Sequence, residues 1–414
     1  MKLFLALLLM AVITAVDAQT VKNNQVIIGK TDSVSSKILK EKRKVWIYLP
    51  TGYDAAAQTR YPVVYLLDGD GHFASVAGMI QQLSEVNGNT VVPQMIIVGI
   101  PNTDRTRDLT PTNSMLDPAG KRVEDFKTSG GGEAFVSFMA KELIPHIDST
   151  YHTAPFKLLI GHSFGGLTAM NIVINHTDMF NAYLVIDPSM WWDGRKLLNQ
   201  GRDVFKQKKF DGKSLFLGIA NTMQAGVDTL QVQRDTSGIS GHIRSILALK
   251  GTLQQNAGNG LRWSYKYYDD DSHGSVPLIT EYDGLHFLFN FYNFPKGFQT
   301  KMFDKDAKID IGTAFSEHFA DISKHMGYTV LPPEDMLNQM GYFFLQSHMP
   351  DRAYSSFDLN IKNYPHSFNV YDSMGDYYDA QKNKAKAIEY YTKSLKVKET
   401  PDTRKKLDKL QAAK

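Results

Sequence analysis

The stretch Leu158-Leu159-Ile160-Gly161-His162-Ser163-Phe164-Gly165-Gly166-Leu167 decides the fold. An apolar run with the character of a buried strand stops at a glycine, presents one hydroxyl, crosses two more glycines and enters a segment of helical apolar spacing. Gly-x-Ser-x-Gly between a strand and a helix is the pattern that lifts a serine to the end of a sheet on a strained turn. The flanking glycines answer a steric demand, because side chains there would collide with neighbouring backbone.

The chain around this turn alternates strand and helix. Arg43 to Pro50 alternates as a half-buried strand, and Tyr61-Pro62-Val63-Val64-Tyr65-Leu66-Leu67 is a continuous apolar run of the kind buried on both faces of a parallel sheet. Further strands are predicted over 91–100, 182–186, 215–219 and 262–268, with helices near 79–83, over 133–147, from the serine turn to Ile174, over 242–253 and after Ser275. Arg105 to Pro111 falls in a long polar loop. This alternation predicts an α/β fold, a mostly parallel sheet wrapped by helices, with ligands bound beyond the carboxyl ends of the strands.

Beyond residue 310 the apolar spacing is purely helical, and a repeat of period 34 matches Gly341 to Gly375, Ala353 to Ala387 and Phe357 to Tyr391. Small residues where helices cross, with aromatics filling the groove, follow tetratricopeptide logic. Two such repeats need further packing, either on the helix around Phe319 or on the α/β unit. The expected organisation is a leader over 1–18, an α/β domain carrying the serine turn over 19–295, a connector and packing helix over 296–330, and a small all-α tetratricopeptide-like region over 331–414.

The leader combines one lysine, a short apolar run and small residues at Val16 and Ala18, as a cleaved secretory signal does, which predicts a periplasmic or secreted protein without a stable membrane anchor. The absence of cysteine excludes disulfides, thiolate metal sites and an acylated N-terminal cysteine. Net charge is only +3, and residues 382–414 concentrate eleven Lys/Arg against four Asp/Glu, which reads as a solvated helix face; no nucleic-acid motif accompanies it.

A serine hydroxyl becomes a nucleophile when a base takes its proton, and the order on this type of sheet is Ser, then Asp or Glu, then His. His273, in the loop after the strand ending at Tyr268, is the predicted base, whereas His286 lies in a helix between apolar neighbours. Two carboxylates compete for the acid, Asp228 and Asp187; the usual strand favours Asp228, and a Ser-His site without an acid is a third option. One oxyanion donor is expected from the backbone of Phe164 and the other from the loop after Leu67, at Asp70. Asp68-Gly69-Asp70 resembles the start of a calcium loop but is too short for the helix-loop pattern, so neither a metal nor another cofactor is expected.

Together, Tyr61 to Gly69, Gly161 to Gly166, Pro188-Ser189-Met190-Trp191-Trp192 and Asp271-Ser272-His273-Gly274 resemble the putative-esterase family of α/β-hydrolases, which includes esterase D and ferric-enterobactin esterases. The resemblance runs from about Val45 to Tyr292 and implies Ser163 as nucleophile, His273 as base, and Phe164 with Asp70 as oxyanion donors. It places Arg105, Arg107, His162, Trp191 and Trp192 beside a small-molecule or carbohydrate ester, of siderophore, feruloyl or acetyl type. Where the family commonly has a glutamate, this chain has Asn221-Thr222-Met223. The expected activity is an exported serine esterase. Acyl transfer on the same fold, or a scaffold binding a protein partner through the repeats, are the alternatives.

Overall fold

The computed structural model describes residues 20–22, 25–57 and 59–412, so the predicted leader lies outside the described residues. The chain divides into two compact units at Asn293/Phe294. The first is built on an eight-stranded sheet: β1 (Lys30–Ser36), β2 (Glu41–Tyr48), β3 (Tyr61–Leu67), β4 (Ile96–Ile100), β5 (Thr153–His162), β6 (Ala182–Ile186), β7 (Ser214–Ala220) and β8 (Arg262–Tyr268). Their order across the sheet is β8-β7-β6-β5-β3-β4-β2-β1. The six strands from β8 to β4 run parallel, and β2 and β1 close one edge antiparallel.

Central strands β3, β4 and β6 are buried along their whole length, which is why they read as unbroken apolar runs. The helices of this unit are α1 (Gly69–Ser84), α2 (Arg105–Leu109), α3 (Gly132–Phe138), α4 (Ile144–Thr150), α5 (Phe164–Asn175), α6 (Trp192–Gln207), α7 (Thr229–Arg234), α8 (Gly241–Gln255) and α9 (Val276–Leu288). Three differences from the sequence reading have local causes. Strand β4 starts at Ile96 because the amides of Val91 and Val92 both donate to Leu83 O at the end of α1. The polar loop at 105 forms the short helix α2 because the Asp104 side chain accepts the Arg107 N–H at its start. The expected helix over 133–147 is split by a π turn at Met139–Leu143, where Pro145 can supply no amide to the ladder.

The second unit is all helical: α10 (Phe298–Phe303), α11 (Ile311–Met326), α12 (Glu334–Gln346), α13 (Pro350–Asn363), α14 (Phe368–Ala380), α15 (Lys384–Val397) and α16 (Pro401–Ala412). A Cβ on Gly341 would overlap the Phe357 ring, and one on Gly375 would overlap Tyr391, so both hairpins cross at a glycine filled by an aromatic. Ala353 and Ala387 are fully buried at the matching positions. Arg352, itself buried, donates to the carbonyls of Met302, Asp304 and Ala307, which draws the connecting segment into this unit. Among the described residues, no helix is long and apolar enough to cross a membrane.

Candidate active site

Three adjacent parallel strands, β3, β5 and β6, each end on a non-glycine residue with positive φ: Asp68 at 52°, Ser163 at 59° and Asp187 at 39°. Such backbone costs on the order of 1–3 kcal/mol per residue and persists only where its surroundings enforce it. Enforcement here comes from the next strand end: Ser163 N donates to Ile186 O at 3.0 Å, and Asp187 N donates to Gly218 O at 2.9 Å. At Asp68, the amides of Gly71 and His72 close onto its carbonyl as α1 begins.

The turn at Ser163 has no space for larger neighbours. A Cβ on Gly161 would overlap the Gly165 carbonyl, and one on Gly165 would lie 3.1 Å from Asp68 Oδ2. Ser163 O accepts from Leu167 N at 2.9 Å and Ser189 N at 3.0 Å, which seats α5 directly on the turn. The Ser163 hydroxyl lies 3.4 Å from Ser189 Oγ. No hydrogen bond joins it to His273 among the described residues; such bonds commonly tighten only once substrate is in place.

His273 Nδ1 lies 2.6 Å from Asp187 Oδ2, so its Nδ1 carries the proton and Nε2 is the acceptor. Asp187 is fully buried, and its Oδ1 accepts the Ala220 amide at 3.0 Å. His242 Nε2 reaches the same Oδ2 at 2.8 Å. Burial pushes this carboxyl upward, but hydrogen bonds from His242 and His273, the His242 charge and the Ala220 amide together hold it well below the usual carboxylate range. Asp187, His242 and His273 are also the one His/Asp/Glu cluster among the described residues whose ligand atoms converge, within 4.8 Å of one another. The 2.8 Å contact has the length of an N–H···O bond, and the 2.6 Å contact is shortened as bonds to a carboxylate are.

Asp228, the acid that the sequence favours, does not meet His273. It is exposed at the start of α7, where its carboxylate accepts the amides of Leu230 at 2.8 Å and Gln231 at 2.7 Å in a capping box. Arg105 is likewise committed, with Nε 2.7 Å and Nη2 3.0 Å from the two oxygens of Asp68. Arg107 is held by Asp108 at 2.7 Å and Glu41 at 3.0 Å, and Asp108 also pairs with buried Arg43, so this guanidinium braces the sheet edge. With Asp68 bound to Arg105 and Asn102, its carboxylate is not free for a cation.

His162 has its ring 4.5 Å from that of His273 and 5.9 Å from that of His72. Burial first, then the neighbouring imidazoles of His273 and His72, push it down to about 4, so it is neutral near pH 7. Trp192 is buried and donates to Thr112 O at 3.0 Å. Trp191 and Phe126 remain partly exposed, 6.2 Å apart, and both rings border Phe164. Asp70 and Phe164 stand in the first turns of α1 and α5, which begin at the carboxyl ends of neighbouring strands β3 and β5. First-turn amides have no partner within their helix, so both N–H groups are available to an anionic oxygen.

Sequence reasoning ranked Asp187 second and passed over His242 and Asp68. The available signal for Asp187 was its place right after β6, the strand paired with that of Ser163.

The family described as "Putative esterase" matches residues 36–233. An IroE-like serine hydrolase from Shewanella oneidensis, known from a crystal structure, is 33% identical with a TM-score of 0.68, covering 80% of this chain and 98% of its own. The siderophore enterobactin esterase of Emericella nidulans is 25% identical over 252 residues, 55% of this chain and 82% of that one. The ferri-bacillibactin esterase BesA of Bacillus subtilis is 28% identical over 162 residues, 37% of this chain and 56% of that one. The chain belongs to the putative-esterase family of α/β-hydrolases and is an esterase.

Proposed function

We propose that this esterase is exported and works through Ser163, His273 and Asp187, with an acyl-enzyme intermediate. The observation that carries this reading is the 2.6 Å bond between His273 Nδ1 and buried Asp187, on the strand end beside that of Ser163. His273 Nε2 takes the hydroxyl proton as Ser163 Oγ bonds to the ester carbonyl carbon, and Asp187 stabilises the resulting imidazolium. The amides of Phe164 and Asp70 receive the oxyanion. The same proton passes to the departing alkoxide as the C–O bond breaks. Water then repeats the sequence on the acyl-enzyme and releases the acid.

The partly exposed rings of Trp191 and Phe126 suit an aromatic acyl group, and relatives named siderophore enterobactin and ferri-bacillibactin esterases support a catecholate siderophore ester over a feruloyl or acetyl carbohydrate ester. The 34-residue helical repeat is read as tetratricopeptide-like and as a surface for a protein partner. Export rests on the leader-like residues 1–18.

A fluorophosphonate should label the purified protein at Ser163, and Ser163→Ala should abolish both labelling and turnover of a nitrophenyl ester. Labelling indifferent to that change would overturn the nucleophile. A cyclic tricatecholate triester should then be cleaved with a higher kcat/KM than a feruloyl ester; the reverse order would move the substrate to the carbohydrate class.

A further inference from the structure

Asp187 Oδ2 accepts from two imidazoles, His273 Nδ1 at 2.6 Å and His242 Nε2 at 2.8 Å, and the rings stand perpendicular with centroids 5.0 Å apart. We propose that His242 is a positioning residue for ester hydrolysis, acting through Asp187. The inference rests on the Ser163–His273–Asp187 reading above.

The physical case begins with what a buried carboxylate needs. Asp187 has no solvent exposure, so each lone pair lacking a donor is costly. Ala220 N satisfies Oδ1 and His273 satisfies one site on Oδ2. Any remaining swing of the carboxylate about its last torsion carries the His273 ring with it. The bond from His242 supplies a third fixed point and stops that motion. A donor on the same oxygen also makes the carboxylate less basic, which favours keeping the proton on His273 Nδ1 and hence Nε2 as the acceptor facing Ser163.

His242 is itself held in place. It is the second residue of α8, and its carbonyl accepts Ser245 Oγ at 2.6 Å. Ahead of it, Gly238 and Gly241 press against the backbone of Ala119 and the side chain of Pro118, leaving no room for a Cβ. The segment that includes Pro118 and Ala119 also carries Phe126, which packs on Phe164, Trp191 and Trp192. One loop thus braces both the aromatic wall and the helix start that presents His242.

The test compares side chains of similar length that differ in the donor. His242→Met should lower kcat for a nitrophenyl ester about 10- to 100-fold with KM within twofold, whereas His242→Gln, whose amide nitrogen can reach Asp187, should recover most of the loss. In an Asp187→Asn background, His242→Met should change kcat less than twofold, because the group it acts through is already altered. If His242→Met does not fold, His242→Ala assayed with and without added imidazole asks the same question, and rescue is expected. Equal kcat for the Met and Gln variants, a rise in KM alone, or full additivity with Asp187→Asn would overturn the proposal. Ser163→Ala run in parallel separates the two claims: retained turnover sinks the nucleophile reading, whereas abolished turnover beside an unaffected His242→Met sinks only this inference.

Discussion

In the helical unit, Gly341 meets Phe357 and Gly375 meets Tyr391, each pair sixteen positions apart within one hairpin. At the carboxyl ends of β3, β5 and β6 the partners are remote: Asp187 joins His242 and His273, 55 and 86 positions onward, and Asp68 joins Arg105, 37 positions onward. The first kind of contact repeats with the chain and needs only helical geometry. The second kind exists only after the sheet has fixed its strand order. Regular packing is therefore written locally, whereas the polar site is a product of topology.

The sharpest way to break that contrast is at the two competing carboxylates. Asp187→Asn should lower kcat on the order of 10³- to 10⁴-fold while far-UV circular dichroism stays native, since the amide disturbs the tautomer and orientation of the base. Asp228→Asn should leave turnover within twofold. If Asp228→Asn is the crippled variant, the remote pairing of Asp187 has no catalytic meaning and the contrast collapses.

A second remote feature is Glu281 on α9, which is almost completely buried, 3.7 Å from His72 Nδ1, with neither oxygen hydrogen-bonded among the described residues. Burial pushes its carboxyl up to about 8. Between the ordinary glutamate value near 4.5 and that value, the folded chain holds a proton that the unfolded chain has released, so stability falls as pH rises across this window. Glu281→Gln should remove the dependence, with a gain over wild type of up to roughly 4 kcal/mol at pH 8 and much less at pH 5. Urea denaturation at the two pH values checks this, and an equal gain at both would show that the buried carboxyl is not the titrating group.

The local contacts should give smaller effects confined to stability. Gly341→Val forces a side chain into the Phe357 ring and should destabilise the helical unit by about 2–3 kcal/mol in a thermal melt, with kcat unchanged at 25 °C. A fall in kcat would mean that the repeats serve the site. Smallest of all, Asp228→Ala should cost about 1 kcal/mol as a lost helix cap, measured by denaturation, without touching turnover.

The same contrast explains what was legible. Buried strands such as 61–67 and 182–186 read directly, because apolar runs bounded by polar turns have few other uses. The serine turn and the Gly-aromatic repeat read well too, since each is a local steric statement. Asp228 misled because it follows the strand that usually carries the acid, whereas Asp-Thr-Leu-Gln there forms a helix cap. The ion pairs of Arg105 and Arg107 were not legible for the reverse reason: their carboxylate partners, Asp68 just after β3 and Glu41 on β2, are distant in the chain. His242 gave no local signal, sitting near a helix start among small polar residues.

The row of positive-φ residues at 68, 163 and 187 has a kinetic consequence. Ser163 is held against its own preference by the Ile186 carbonyl and Asp187 by the Gly218 carbonyl, so slight separation of β5 from β6, or of β6 from β7, releases strain instead of adding it. Warming should therefore open this corner before the remaining strands separate. Activity is expected to fade while the far-UV spectrum is still that of the intact sheet, and brief cooling should bring it back, because the surrounding scaffold that re-imposes the three turns has not yet melted.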